Sequence, residues 1–125
     1  SLVYKKAKEL SKVRRDCFTN GTGGGFAAHV LPPGSKVPGS RFQMVSQIEL
    51  DPGSSIGSHL HGENEEIYWI LSGEGVYNED GTDIPAGPGD VFIAFQGHNH
   101  GLKNTGPGPL VMIAVIAGDR NPAES

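Results

Sequence analysis

Apolar and polar side chains alternate in short segments along most of the chain, and turn residues separate these segments. The clearest segment is 42–50, whose even-numbered positions are Phe42, Met44, Ser46, Ile48 and Leu50. A period of two is the pattern of a β-strand that buries one face. The same reasoning predicts strands over 26–31, 56–61, 66–72, 76–78, 91–95, 98–103 and 110–117, and a short strand that ends at 84–85.

The N-terminal segment has a different period. Val3, Ala7 and Leu10 recur at steps of three and four, which predicts a weak amphipathic helix within residues 3–17. The rest of the chain is rich in turn formers, with 19 Gly and 9 Pro, and the segment 78–81 is a predicted hairpin turn. Many short strands joined by turns indicate an all-β sandwich or barrel.

Length and composition indicate how many domains the chain forms and in which compartment we expect it. A chain of 125 residues forms one domain with a real core. Its single cysteine, Cys17, cannot form a disulfide within the chain, which fits a reducing compartment. The longest apolar run, 110–117, is too short to span a membrane, and no signal-peptide pattern is present. We therefore expect a cytoplasmic protein that does not associate with membranes.

Charge is distributed unevenly along the chain. The net charge is −4, and no Lys or Arg lies between Arg41 and Lys103. A nucleic-acid site needs basic side chains to neutralise phosphates, so we predict no DNA or RNA partner. The basic side chains concentrate in residues 1–20, which we interpret as a solvated face rather than an interaction arm.

Two histidine pairs carry the candidate chemistry. His59 and His61 are two residues apart on a predicted strand, so they share a face. A cluster of carboxylates follows them, and imidazoles beside a carboxylate suit Zn, Fe, Mn, Co, Ni or Cu. A further ligand must come from another part of the chain, where His98 and His100 form the only other dense group. His29 stands alone on a short strand, and we interpret it as structural.

The spacing of these residues resembles the two sequence motifs of the cupin family. The first motif is matched throughout by Gly53, His59, His61, Glu66 and Gly73. The second is matched by Gly89, Gly97, His100 and Asn104, with Phe95 where Pro is usual. The two motifs and the strands between them cover residues 40–117, which is most of the chain.

The resemblance implies a fold and a ligand set. The expected fold is a cupin jelly-roll barrel (a double-stranded β-helix) over 26–119, with an N-terminal arm, helical or irregular, over 1–25 that packs on the barrel and a tail over 120–125. The expected cofactor is one divalent transition metal (Mn, Fe, Zn, Ni, Co or Cu), held by His59, His61, Glu66 and His100. Strand alternation also favours Glu66 over Glu65, because the two point in opposite directions.

Such a site indicates a small metalloenzyme. Four protein ligands leave one or two positions on an octahedral metal for a small oxygen-bearing organic substrate. The resemblance alone does not choose among dioxygenase, isomerase, decarboxylase and lyase chemistry. Two alternatives remain: a non-catalytic protein that binds or senses a small ligand, and a structural dimer module that a metal braces.

The predicted substrate pocket is mainly apolar. Its candidate lining residues are Phe42, Met44, Ile48, Ile70 and Leu102, with His98 at the rim or behind a ligand. Tyr68 is the candidate catalytic proton donor, and an ordinary core aromatic is the alternative. Only Arg41 and Lys103 adjoin the predicted strands, so we expect a neutral or singly charged ligand held mainly by the metal.

Two strands are apolar on both faces, which predicts an assembly. Residues 110–117 contain no polar side chain, and Ile67, Trp69 and Leu71 lie opposite the face of Glu66. One barrel interior cannot hold both faces, so a second surface must cover the outer one. We predict a homodimer packed sheet on sheet. The alternative is a monomer whose N-terminal stripe covers the outer face.

Overall fold

A computed structural model describes residues 4–123 of the chain. Ten strands form the fold: β1 (Val13–Arg15), β2 (Gly25–Leu31), β3 (Phe42–Leu50), β4 (Ser55–His61), β5 (Asn64–Ser72), β6 (Gly75–Glu79), β7 (Thr82–Ala86), β8 (Val91–Ala94), β9 (His98–Asn104) and β10 (Leu110–Gly118). A single turn of 3₁₀ helix, Ala7–Glu9, precedes them. No helix in the described residues is long and apolar enough to cross a membrane.

The strands form two antiparallel sheets that pack face to face. The larger sheet has six strands in the order β1-β2-β3-β10-β5-β8, and the smaller has four in the order β4-β9-β6-β7. Neighbours such as β3 and β10 are far apart in sequence, as expected when a chain winds repeatedly between two sheets. The predicted all-β jelly-roll is confirmed.

The core lies between the sheets and follows the alternation seen in the sequence. On β10, Leu110, Met112 and Ala114 are fully buried, while the residues between them lie on the outer face. The same rule buries Ile70 on β5 and Leu102 on β9. Because every second residue of a strand faces inward, one interior is filled from both sheets.

Phe42 is an exception to this rule, and a β-bulge explains it. Met44 pairs with Ile116, but Phe42 pairs with Ala117, so β3 contains one extra residue at this point. An extra residue reverses the faces beyond it, which turns Phe42 outward. Phe42 is 52% exposed, so the structure places this predicted pocket residue on the surface of the fold.

The predicted hairpin turn is confirmed between β6 and β7. Two residues, Asp80 and Gly81, connect these strands, and both have positive φ, 51° and 85°. This is the pattern of a type I′ turn, whose twist matches that of the flanking strands. Asn78 accepts a hydrogen bond from the Gly81 N–H at 3.1 Å, which supports the turn further.

The predicted N-terminal helix is wrong. After the 3₁₀ turn, β1 pairs with β2 and extends the edge of the larger sheet, because that edge offers unpaired backbone groups. Two basic side chains of this segment form ion pairs with β3 and the turn after it: Lys12 with Glu49 at 3.1 Å and Arg14 with Asp51 at 2.7 Å. Val3, part of the predicted apolar stripe, lies outside the described residues.

Candidate metal centre

The first two site residues lie on β4, in the smaller sheet. His59 and His61 point into the space between the sheets, while Leu60 between them is exposed to solvent. Their ring centroids are 4.9 Å apart. Strand alternation therefore places both imidazoles on one face, as the sequence predicts.

The remaining two residues come from other strands. His100 lies on β9 directly opposite His59 in the antiparallel register, and it is fully buried. Glu66 lies on β5 in the larger sheet and is 5% exposed, whereas its neighbour Glu65 faces solvent. The structure thus brings three imidazoles from one sheet against one carboxylate from the other.

The four side chains converge on a single point. His61 Nε2 lies 2.8 Å from His100 Nε2 and 3.1 Å from His59 Nε2. Glu66 Oε1 lies 3.0 Å from His61 Nε2 and 2.9 Å from His100 Nε2, but 3.9 Å from His59 Nε2. Ligand atoms about 2.1 Å from a six-coordinate ion are about 3 Å apart as neighbours and about 4 Å apart when opposite. The spacings therefore fit a metal site.

The outer ring nitrogens determine which tautomers are present. His59 Nδ1 lies 2.7 Å from the carbonyl oxygen of Gly57, which can only accept, so Nδ1 carries the hydrogen. His61 Nδ1 donates in the same way to Asn64 Oδ1 at 2.5 Å. Asn64 is oriented in turn by donating to Gln43 Oε1 at 3.2 Å.

His100 is held by a tyrosine. The Tyr77 hydroxyl donates to Glu79 Oε1 at 2.9 Å, which leaves its oxygen to accept from His100 Nδ1 at 3.2 Å. All three imidazoles therefore present an Nε2 lone pair to the centre, beside a carboxylate oxygen. Lone pairs this close together repel each other unless a cation lies between them. The donor set thus fits a divalent transition metal and supports the predicted ligands.

The electrostatics of the cluster favour these protonation states for Glu66 and His100, but not for His61. Burial raises the pKa of Glu66, but contacts with His100 and the other two imidazoles outweigh this and hold it well below its usual range. Burial lowers the pKa of His100, which keeps this ring neutral. Contact with Glu66 raises the pKa of His61, so a proton competes with a metal at this ligand.

A cavity of about 220 Å³ opens on the cluster. His59, His61, Glu66 and Tyr68 are among the residues that line it. Its walls are mainly apolar and are formed by Phe18, Ala27, Met44, Ile48, Ile56 and Ile116. The volume and the lining suit a small molecule with few polar groups.

Only some of the predicted pocket residues line this cavity. Met44 and Ile48 line the cavity, whereas Ile70 and Leu102 lie in the core and do not line it. His98 does not line it either, because its ring is exposed and lies 2.6 Å from the carboxylate of Asp80. The structure therefore places Ile70, Leu102 and His98 outside this cavity, and the reason for His98 is its attraction to Asp80.

Tyr68 occupies the position that the sequence predicts. It is 2% exposed, lines the cavity and stacks on His100 with a centroid distance of 4.5 Å. Burial and the nearby Glu66 carboxylate raise the pKa of Tyr68 well above its ordinary value. Its hydroxyl therefore remains protonated and able to donate at neutral pH.

Sequence reasoning missed three polar residues of the cavity: Arg15, Thr19 and His29. Arg15 on β1 and His29 on β2 both line it, whereas the sequence analysis interprets His29 as structural and Arg15 as part of a solvated face. The basic N-terminal segment was the available signal for Arg15. The expectation of a neutral or singly charged ligand rested on the lack of a nearby cation, and Arg15 removes that reason.

Phe95 stands where the second cupin motif usually has Pro, and the loop before β9 is nevertheless well formed. Phe95 O accepts from the His98 N–H at 3.2 Å across a turn in which Gly97 has φ 90°, a conformation that favours glycine. Gly97 N–H donates to His61 O at 2.7 Å, which ties the loop to β4. Phe95 itself is exposed and is not needed for this turn.

Comparison with known proteins assigns the family. The family model described as "Cupin domain" matches residues 46–116, which is more than half of the chain. The chain belongs to the cupin family. This cupin is 35% identical over 111 residues to the oxalate-binding protein of Thermotoga maritima, a match that covers 89% of this chain and 90% of the relative.

Solved structures agree with this assignment. A crystal structure titled as a predicted oxalate decarboxylase from Thermotoga maritima matches this cupin with a TM-score of 0.80 and 33% identity, covering 91% of this chain and 97% of that one. A double-stranded β-helix protein from Klebsiella pneumoniae matches with a TM-score of 0.59 and 30% identity, covering 76% and 86%. Both structures therefore support the cupin assignment and its double-stranded β-helix fold.

Proposed function

We propose that this protein binds one divalent transition metal through His59, His61, Glu66 and His100 and, on that metal, a small organic acid anion of the oxalate class. The relatives named for oxalate supply the candidate ligand. The bound metal would supply Lewis acidity and, for Mn or Fe, redox chemistry. The protein supplies the ligand set and a cavity that is largely apolar.

One observation carries this proposal: the spacing of the four ligand atoms. His59 Nε2 and Glu66 Oε1 lie 3.9 Å apart, whereas His61 Nε2 and His100 Nε2 lie 2.8 Å apart. Four protein ligands would leave up to two positions of a six-coordinate metal open for a small molecule. Two open positions suit an anion that binds through two oxygens, as oxalate does.

Turnover is the second candidate function, and Tyr68 favours it. Its protonated hydroxyl lies in the wall of the cavity beside Glu66. Decarboxylation of oxalate breaks the C–C bond, releases carbon dioxide and needs one proton to complete formate, with no net oxidation. Tyr68 is the candidate donor of that proton. The protein would then be an enzyme, as the sequence-based interpretation favours.

Titration calorimetry on metal-loaded and metal-stripped protein tests binding. We expect oxalate to bind one equivalent of the loaded protein and to show no binding to the stripped protein at the same concentration. Equal binding by both forms, or none after loading with each of Mn, Fe, Co, Ni, Cu and Zn, would refute the proposal. Assay of formate in the same samples separates turnover from binding, and a Tyr68→Phe variant that makes formate at the wild-type rate would exclude Tyr68 as donor.

We also propose that the protein assembles as a homodimer through the outer face of the larger sheet. This face exposes a row of large apolar side chains: Phe42, Trp69, Leu71, Val91, Ile93 and Phe95. The described N-terminal segment cannot cover them, because β1 lies at the opposite edge of the sheet from β8. A second copy of the same face is self-complementary, and two-fold dimers are the commonest closed assemblies.

A further inference from the structure

Arg15 differs from the nearby basic residues Lys12 and Arg14 because it forms no ion pair within the described residues. Lys12 and Arg14 form ion pairs with Glu49 and Asp51 on the outside of the fold. Within residues 4–123 the Arg15 side chain has no carboxylate partner and no hydrogen bond, and it lines the cavity that opens on the metal cluster. The alternation of β1 explains the difference, because Arg14 and Arg15 point to opposite faces of the sheet.

His29 is the second polar group of the same wall. Its Nδ1 lies 2.5 Å from Ser46 Oγ, and Ser46 is the residue opposite it on β3. This contact orients the ring and leaves Nε2 without a partner among the described residues. When the Ser46 hydroxyl donates to Nδ1, Nε2 carries the ring hydrogen and can donate into the cavity.

We propose that Arg15 and His29 bind the part of the ligand that faces away from the metal, and that Arg15 makes the cavity selective for a dianion such as a short dicarboxylate. This inference rests on the proposed function, because it assumes that a small acid anion occupies the metal. Beyond the proposed function, it specifies the charge of the preferred ligand and identifies Arg15 as the residue that selects for this charge.

The charge of the cavity supports this selectivity. Glu66 is the only carboxylate in the described cavity lining, and it cancels one of the two charges of a divalent metal. Arg15 restores a second positive charge, so a dianion neutralises the site and a monoanion does not. An arginine fork also pairs with both oxygens of a carboxylate, which a mainly apolar wall cannot do.

The state of His29 agrees with a donor role. Burial and then the positive charge of Arg15 lower the pKa of His29, which keeps the ring neutral at pH 7. A neutral ring has one N–H, and this hydrogen lies on Nε2 when the Ser46 hydroxyl donates to Nδ1. His29 is thus a positioning donor, whereas Arg15 supplies the charge.

The test compares oxalate with oxamate, a monoanion of the same shape in which an amide replaces one carboxylate. Titration calorimetry would measure both on metal-loaded wild type, Arg15→Gln and Arg15→Lys. Arg14→Gln is the matched control, because Arg14 is adjacent but pairs with Asp51 on the other face. Metal content would be measured for every variant, since it should be unchanged.

We expect Arg15→Gln to weaken oxalate binding by about ten- to hundredfold, the usual range for one charge-assisted hydrogen bond. Oxamate binding should weaken by less than threefold, Arg15→Lys should recover part of the oxalate affinity, and Arg14→Gln should leave both ligands unaffected. If Arg15→Gln keeps the wild-type preference for oxalate over oxamate, this inference is wrong, whereas the proposed function is unaffected. Failure of loaded wild type to bind either ligand would instead overturn the proposed function, and the inference with it.

Discussion

Replacing Tyr77 by Phe tests whether the metal ligands depend on the groups behind them. Tyr77 touches no part of the cavity, but its oxygen accepts the hydrogen of His100 Nδ1 at 3.2 Å. The substitution removes only this oxygen. The ring should stay in place, because it is buried and stacks on Phe92 with a centroid distance of 4.2 Å.

The expected magnitude follows from what each partner loses. Glu79 loses the hydroxyl donor but is only half-buried, so water can replace it. His100 is fully buried, and its Nδ1–H would have no acceptor, which costs about 1–3 kcal/mol of unfolding free energy. A ring without this contact is also free to turn, and loss of such an outer partner typically weakens metal affinity by about 10- to 100-fold.

Two measurements check this prediction. Urea unfolding of metal-stripped protein gives the loss of stability, and competition with a chelator gives the loss of metal affinity. Glu79→Gln is the control, because an amide oxygen still accepts from Tyr77 and the tautomer of His100 is preserved. Metal affinity within twofold of wild type in Tyr77→Phe would refute the reasoning that this hydroxyl orients His100.

Four further predictions concern the metal, a histidine and the outer face. Glu66→Gln should weaken metal binding at least hundredfold in chelator competition, whereas Glu65→Gln, on the exposed face, should match wild type. Adding metal at a hundredfold excess over its Kd should stabilise the wild type by about 2.7 kcal/mol in thermal unfolding, and no shift would contradict a folded-state site. NMR titration of His29 should give a pKa below the ordinary value for histidine. The contribution of His29 to the free energy of unfolding is then full above the ordinary pKa and is lost as the pH falls below that value. Arg15→Gln should raise the pKa of His29, and an unchanged pKa would contradict the proximity of the two side chains. Trp69 is 50% exposed on the proposed dimer face, and an Asp at this position would place a charge in the interface. Light scattering of Trp69→Asp should therefore show half the mass of the wild-type dimer. An unchanged dimer mass would exclude this face as the interface.

The convergence of the four candidate ligand residues was predictable because their positions depend on local geometry and on a known spacing. His59 and His61 need only the alternation of one strand, and Glu66 was separated from Glu65 by the same alternation. His100 is different, since nothing local distinguishes it from His98. The family spacing selected His100, and the structure explains the choice: alternation within β9 would allow both to face inward, but Asp80 draws His98 to the surface.

The residues that were missed depend on contacts between distant parts of the chain. Arg15 enters the cavity only because β1 pairs with β2, and a three-residue edge strand leaves almost no periodic signal. Phe42 leaves the interior because one extra residue in β3 has no partner on β10. A bulge reverses the faces without changing composition or hydrophobicity, so alternation alone assigned Phe42 to the wrong face.

The strand β5 connects the candidate metal centre with the proposed dimer surface. Its inward positions carry Glu66 and Tyr68 at the cavity, and its outward positions carry Trp69 and Leu71 on the exposed face. Because adjacent residues of a strand are fixed relative to each other, a partner subunit that packs on the outer face also restrains the backbone that positions the only carboxylate of the cluster. The apolar outer face and the buried acid are therefore two consequences of one alternating pattern, and a dimer would hold the metal centre rigid from behind.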